Sequence, residues 1–121
     1  MLTILPVNDN ETLGICTNEN TTVLLCKEDE CDKGYIAFEQ NGYVLNIVGF
    51  EVFGADEIKG ASYVTADALL RSMCSYAMNH SCFYLECSKK ELFGILKHFP
   101  FENINEVLKS DLNKILRKCN H

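Results

Sequence analysis

A chain of 121 residues suits one domain, residues 1–121, and is too short for two ordinary ones. Its 47% hydrophobic and 23% charged content is that of a globular chain and excludes wholesale disorder. The net charge of −6 argues against nucleic acid as a partner, because neutralising phosphates needs a cationic face and no basic cluster exists here.

The opening "MLTILPV" reads as a short strand. It has no basic leader, and its apolar run is too short for a signal peptide or a membrane span, so the expectation is a cytoplasmic protein with no membrane contact. "NDNETLGICTN" reads as a turn with one helical turn around Glu11 to Cys16. "TTVLLCKE" is rich in β-branched residues and predicts a strand. A charged turn, Glu28 to Gly34, then leads to the strand "YIAFEQ". Asn41-Gly42 predicts a two-residue hairpin of type I′. "YVLNIVGFEVF" follows as a long, nearly all-apolar strand, which predicts a central place in the sheet.

Ala66, Leu69, Leu70, Met73 and Ala77 share one helical face, with Thr65 as a candidate N-cap and an end near Asn79-His80. "CFYLEC" reads as a strand parallel to the one before the helix. "SKKELFGILKHF" reads as a second helix capped by Ser88 and stopped by Pro100. "NEVLKS" and "DLNKILRK" read as a last strand and a short helix behind Ser110. The fold class is therefore α/β (α+β): a mixed, mostly antiparallel sheet with helices on its faces.

Seven cysteines form no CxxC pair, and the spacings Cys26/Cys31 and Cys82/Cys87 fit a zinc site poorly. No metal ligands are assigned. The thiols read as small buried side chains of a reduced protein, with a thiol or metal sensor as a weaker alternative. Cys74 and Cys82 near His80 would be the start of a nucleophilic site, but packing explains them as well. His80 and His98 end helices, where a cation complements the dipole.

The element order, with "ADALLRSMCSYAMNHSCFYLECSKKELFGILKHFPF", resembles the GNAT superfamily, the GCN5-related N-acetyltransferases, over Thr21 to Phe101. The resemblance implies an acetyl-CoA-dependent N-acetyltransferase acting on a small amine or a peptide. It implies a thioester held near Phe50, Val52 and Phe53, whose backbone N–H groups would stabilise the oxyanion. It implies a cofactor pyrophosphate at the helix start, where orphan donors and the dipole attract an anion. In the family's Gln/Arg-x-x-Gly-x-Gly/Ala pattern, Ala66 fits, while Ala61 and Val64 depart from it. Lys59 and Gly60 are the displaced candidates for the basic-glycine pair, beside Thr65, and Arg71 is the next cation. Asp67 in the first turn would compete with an anion, and the other reading is that Thr65 and Asp67 only cap the helix.

Glu51, an acid in an apolar run, is the candidate general base, since burial there would raise its pKa and suit it to that duty; the competing reading points it to solvent near the strand end, or leaves it in the splay hydrogen-bonded to backbone. Leu96 stands where many members carry an acidic tyrosine, and Pro100 where they carry glycine. Tyr76 and Tyr84 are the remaining sources of a proton, each also explained by packing. The alternative function is a catalytically degenerate scaffold acting as a binding or interaction module. An exposed edge strand of the meander could pair two copies into a homodimer.

Overall fold

The computed structural model describes residues 2–7 and 20–117. Strands β1 (Leu2–Pro6), β2 (Thr21–Glu28), β3 (Cys31–Asn41) and β4 (Val44–Val52) form an antiparallel meander. Helix α1 (Ala61–Asn79) then crosses to β5 (Tyr84–Cys87), which runs parallel to β4. A 3-10 turn, Lys90–Leu92, leads into the four-residue α2 (Phe93–Leu96). Strands β6 (Glu102–Ile104) and β7 (Val107–Asp111) and helix α3 (Leu112–Arg117) complete the described chain. The sheet order is β1-β2-β3-β4-β5-β7-β6, so β4 is central among seven, as its apolar run predicts. The mixed sheet expected from the sequence is the one observed.

Local chemistry sets the turns. The β3–β4 hairpin pairs Asn41 with Val44, so its central residues are Gly42 and Tyr43, one step later than expected. Only Gly42 has positive φ (64°), so glycine at the first central position replaces the type I′ turn with a II′-like one. The charged turn before β3 shrinks to Asp29 and Glu30, both at positive φ, and β3 starts at Cys31 rather than Tyr35. Asn105 and Glu106 repeat that geometry between β6 and β7.

Leu24, Cys26, Ile36, Phe38, Leu45, Ile47 and Phe50 meet the buried stripe of α1 — Ala66, Leu69, Leu70, Met73 and Ala77 — on one face of the sheet. Each large aliphatic buried there contributes about 1.5–3 kcal/mol by leaving water. Leu92, Leu96 and Phe99 close this core beyond β5, and Phe99 stacks on Tyr63 of α1 at 5.3 Å.

Three helix boundaries correct the sequence reading. Helix α1 starts at Ala61 behind Gly60, so Thr65 is buried in the second turn and caps nothing. The second helix is only the 3-10 turn plus α2, with Lys89 rather than Ser88 at its head; Gly94 lies in that segment and weakens helix. Asp111, not Ser110, caps α3: its carboxylate accepts from the Lys114 N–H at 2.9 Å, while the buried Ser110 hydroxyl donates to the Pro100 carbonyl. The expected helical turn around Glu11 to Cys16 lies outside the described residues. No helix among the described residues is long and apolar enough to cross a membrane.

Candidate functional site

Strand β4 is held differently along its length. Val44, Leu45 and Asn46 pair with β5, but β5 ends at Cys87 while β4 runs on to Val52. Beyond Asn46 it keeps only β3. A bulge interrupts that ladder: Phe38 faces Ile47 and Ala37 faces Gly49, leaving Val48 as the extra residue. After the bulge Tyr35 pairs with Glu51, and the Phe53 N–H donates to the Lys33 carbonyl at 2.9 Å. Antiparallel ladders alternate, so the Glu51 amide also turns to β3, and those of Phe50 and Val52 turn to the free edge. Backbone N–H groups at an unpaired edge are strong donors awaiting an acceptor.

Three neighbouring hollows surround this edge and the loop from Phe53 to Gly60. One of about 430 Å³ lies on the free edge, lined by Tyr35, Phe50, Glu51, Val52, Glu91 and Ile95 among others. One of about 550 Å³ lies between the loop and α2, with Lys59, Lys97 and His98 against Asp56 and Glu57. The largest, about 870 Å³, opens toward β1 and β2 and is lined by Lys33, Phe53, Lys59, Ala61, Ser62 and Thr65 among others.

The loop is shaped by two glycines and one hydroxyl. Gly54 and Gly60 have φ of 72° and 58°, a conformation other residues adopt with strain. A Cβ at either would meet open space, so backbone conformation rather than crowding selects glycine. The Ser62 hydroxyl donates to the Glu57 carbonyl (2.7 Å) and accepts from the Lys59 N–H (2.9 Å), tying the loop to the first turn of α1. Ala61 and Ser62 line the largest hollow, and their N–H groups precede the first intrahelical bond, made by Val64 to Gly60 at 3.1 Å.

The expected site residues fall into two groups. Phe50, Val52, Glu51 and Lys59 line the hollows, and Gly60 caps the helix beside them. Phe53 lines the largest hollow with its side chain, but its amide is spent on Lys33 and is no oxyanion donor. Thr65 reaches the largest hollow, yet its N–H, like that of Ala66, belongs to the helix ladder, so neither amide is available to an anion. Arg71 stands about 15 Å along the helix from its start and pairs with Asp67 at 3.6 Å. Asp67 is thus not in the first turn, which holds no acid, and the competition expected from it does not arise. The acids at the helix start come from the loop instead, where Glu57 pairs with Lys59 at 2.9 Å.

Glu51 is exposed, so the burial considered for it from the sequence is absent. Tyr76 stacks on His80 (4.0 Å) and meets Phe38 edge-on, while Tyr84 pairs with Val44; both sit at the far end of β4 from the free edge. Leu96 is fully buried. His98 lines the middle hollow rather than capping a long helix, because α2 is short. Among the described residues, no group of three His, Cys, Asp or Glu side chains could hold a metal ion.

Tyr35, Ser62 and Lys97 are the residues sequence reading missed. Burial, and secondarily the charge of Glu51, push the Tyr35 phenol up from its ordinary value, so it stays neutral and remains a donor.

The overall fold is shared with solved structures. Tetrahymena GCN5 superposes with a TM-score of 0.64 at 10% identity, over 78% of this chain and 70% of that one. The ribosomal-protein-S18-alanine N-acetyltransferase from Escherichia coli gives 0.67 at 8% identity, over 93% and 94%. The fold is that of the GNAT acetyltransferases. N-acetylglutamate synthase from Neisseria gonorrhoeae, complexed with coenzyme A and N-acetyl-glutamate, gives 0.66 at 12% identity, over 93% of this chain and 35% of that one. No family model matches the sequence, and no curated protein sequence does either. The GNAT likeness is therefore carried by backbone geometry at about one identical residue in ten.

Proposed function

We propose that this chain is an N-acetyltransferase that takes its acetyl group from acetyl-CoA along the free edge of β4. The observation that carries the reading is the parting of β4 from β5 after Asn46, with the amides of Phe50 and Val52 turned into a hollow of about 430 Å³. Acetyl-CoA would supply an acyl thioester. The residues present fit it in three places: an edge with backbone donors for a carbonyl and an amide-bearing chain, the Ala61 and Ser62 amides at the positive end of α1, and the cations Lys59 and Lys97 beside the middle hollow.

In this reading, one of the Phe50 and Val52 N–H groups, which lie about 6.8 Å apart along the edge, would hold the carbonyl oxygen and stabilise the charge that develops on it, and the other would pair with the amide-bearing chain of the cofactor. Glu51, exposed at the same edge, would take the proton of the attacking amine directly or through a water as the C–N bond forms, and the C–S bond would break to release coenzyme A as its thiolate, protonated from solvent. The acceptor is a small amine or a peptide amine. The degenerate-scaffold reading keeps one specific observation: the residue where the resemblance puts an acidic tyrosine is the fully buried Leu96.

Melting curves with and without millimolar acetyl-CoA test the proposal. Ligand at 100 times its dissociation constant adds about 2.7 kcal/mol to the native state, which the curve resolves. Absence of any shift would sink the acetyl-CoA reading. A shift without turnover of any amine would leave the scaffold as the binding module.

A further inference from the structure

The 430 Å³ hollow contains two polar side chains that face one another across the sheet. Tyr35 and Glu51 are direct cross-strand partners, placed opposite each other by the bulge at Val48. The Tyr35 ring lies over Gly49: a Cβ there would come within 3.0 Å of Cε2 and 3.4 Å of the hydroxyl. Glycine at that position thus makes room for the phenol on the β4 backbone. Phe53 lies beside the ring, tilted, at 6.0 Å between centroids. Among the described residues the Tyr35 hydroxyl makes no hydrogen bond. Tyr35 is half-buried and lines the hollow, so its hydroxyl is left as a donor within reach of a ligand.

The charges in that hollow narrow what could pair with it. Its lining holds Glu51 and Glu91 and no Lys, Arg or His. A ligand carrying its own carboxylate would be repelled there, and a cationic amine would be attracted.

We propose that Tyr35 is a specificity-determining residue for the acceptor: its hydroxyl donates to a neutral oxygen near the amine that Glu51 receives. The acceptor class is then an amine with an uncharged oxygen two carbons away, an aminoacyl amide such as a peptide N-terminus, or an amino alcohol. Plain alkylamines lack the oxygen, and free amino acids bring a carboxylate to an anionic hollow. The neutral state of the phenol, maintained by burial and by Glu51, keeps it a donor at physiological pH. The proposal rests on the acyl-transfer reading for its meaning, but its test does not need turnover.

The test is equilibrium binding of four probes to the intact protein, followed by amide and side-chain NMR shifts at Tyr35, Gly49 and Glu51. Glycinamide and ethanolamine represent the two sources of oxygen, with ethylamine and glycine as comparators. Expected is at least tenfold tighter binding of glycinamide or ethanolamine than of ethylamine or glycine. In Tyr35→Phe that preference falls to twofold or less, while ethylamine binds as before. A Gly49→Ala variant, which crowds the ring without removing the hydroxyl, reduces the same preference and keeps the fold. No preference in the wild type, or a preference that survives in Tyr35→Phe, overturns the proposal. Failure of the acyl-transfer reading shows separately, as a melting curve that acetyl-CoA does not move.

Discussion

The two halves of β4 are both mostly apolar, each with one polar residue, and are held in opposite ways. Val44 to Asn46 have partners on both sides, and Leu45 and Ile47 are completely buried against α1. From Val48 onward the strand has a partner on one side only, and Glu51 emerges exposed. The first half spends its backbone groups on the sheet. The second withholds two amides from it, at a cost the surrounding hollow makes tolerable because a ligand or water can reach them. The lesson is that a strand can present backbone donors by losing a neighbour rather than by adding side chains.

The comparison breaks most visibly at Glu51. Glu51→Gln should lower acetyl transfer about 10²–10⁴-fold, the range for losing a positioned base, while stability changes by no more than about 0.5 kcal/mol. Steady-state kinetics and urea unfolding on the same preparation measure both. The closed half should behave in reverse. Leu45→Ala, at a fully buried position, should cost about 2–5 kcal/mol in urea unfolding, with acetyl-CoA affinity preserved wherever the fold survives. If Glu51→Gln were the destabilising change and Leu45→Ala the silent one, the division of the strand would be wrong.

Gly34 sits between these extremes. A Cβ there would lie 2.5 Å from the Glu51 carbonyl oxygen, a backbone atom that cannot swing away. Gly34→Ala should therefore push β3 from β4 at the free-edge end, costing about 1–3 kcal/mol and weakening acetyl-CoA binding together with stability. A loss of stability with unchanged binding would show that the edge geometry tolerates the shift.

How much of this was legible follows from what each feature depends on. β2 was readable to its end residues because β-branched side chains and a charged turn mark it, and the crossover from β4 through α1 to β5 followed from the switch in apolar period. The bulge was not readable. Counting the hairpin back from Asn41 and Val44 would set Tyr35 against Phe50; one extra residue at Val48 sets it against Glu51 instead. The one cue in "NIVGFEVF" is Gly49, since an isolated glycine in a strand suggests a bulge or a close approach, but it does not say which residue is extra or how the register shifts, so the Tyr35–Glu51 pair was hidden. The start of α1 was misread because Thr65 has the chemistry of a cap, while the structure uses the backbone freedom of Gly60. A signal did exist: Tyr63 lies three residues before Ala66 and continues its apolar face, where it stacks on Phe99. The shortness of α2 reflects Gly94, which leaves the spacing of Leu92 and Leu96 intact while weakening the helix between them.

The smallest expected effect appears only in alkali, and it separates the two halves by pH. Burial raises the thiols of Cys82 and Cys87, next to the closed half, above their ordinary range. Burial and then the Glu51 charge raise the phenol of Tyr35 in the open half. In each case the unfolded chain gives up its proton first as pH rises, so stability is fully present at lower pH and falls as pH climbs toward the folded-state value. For the thiols the fall should begin above about pH 8.5, and for Tyr35 only above about pH 10. Each group contributes a slope of at most about 1.4 kcal/mol per pH unit. Urea unfolding from pH 7 to 11 should therefore show two successive bends. Cys87→Ala should soften the first and leave the second, and Tyr35→Phe should do the opposite. If both variants softened the same bend, the two halves of β4 would not differ in the way their burial indicates.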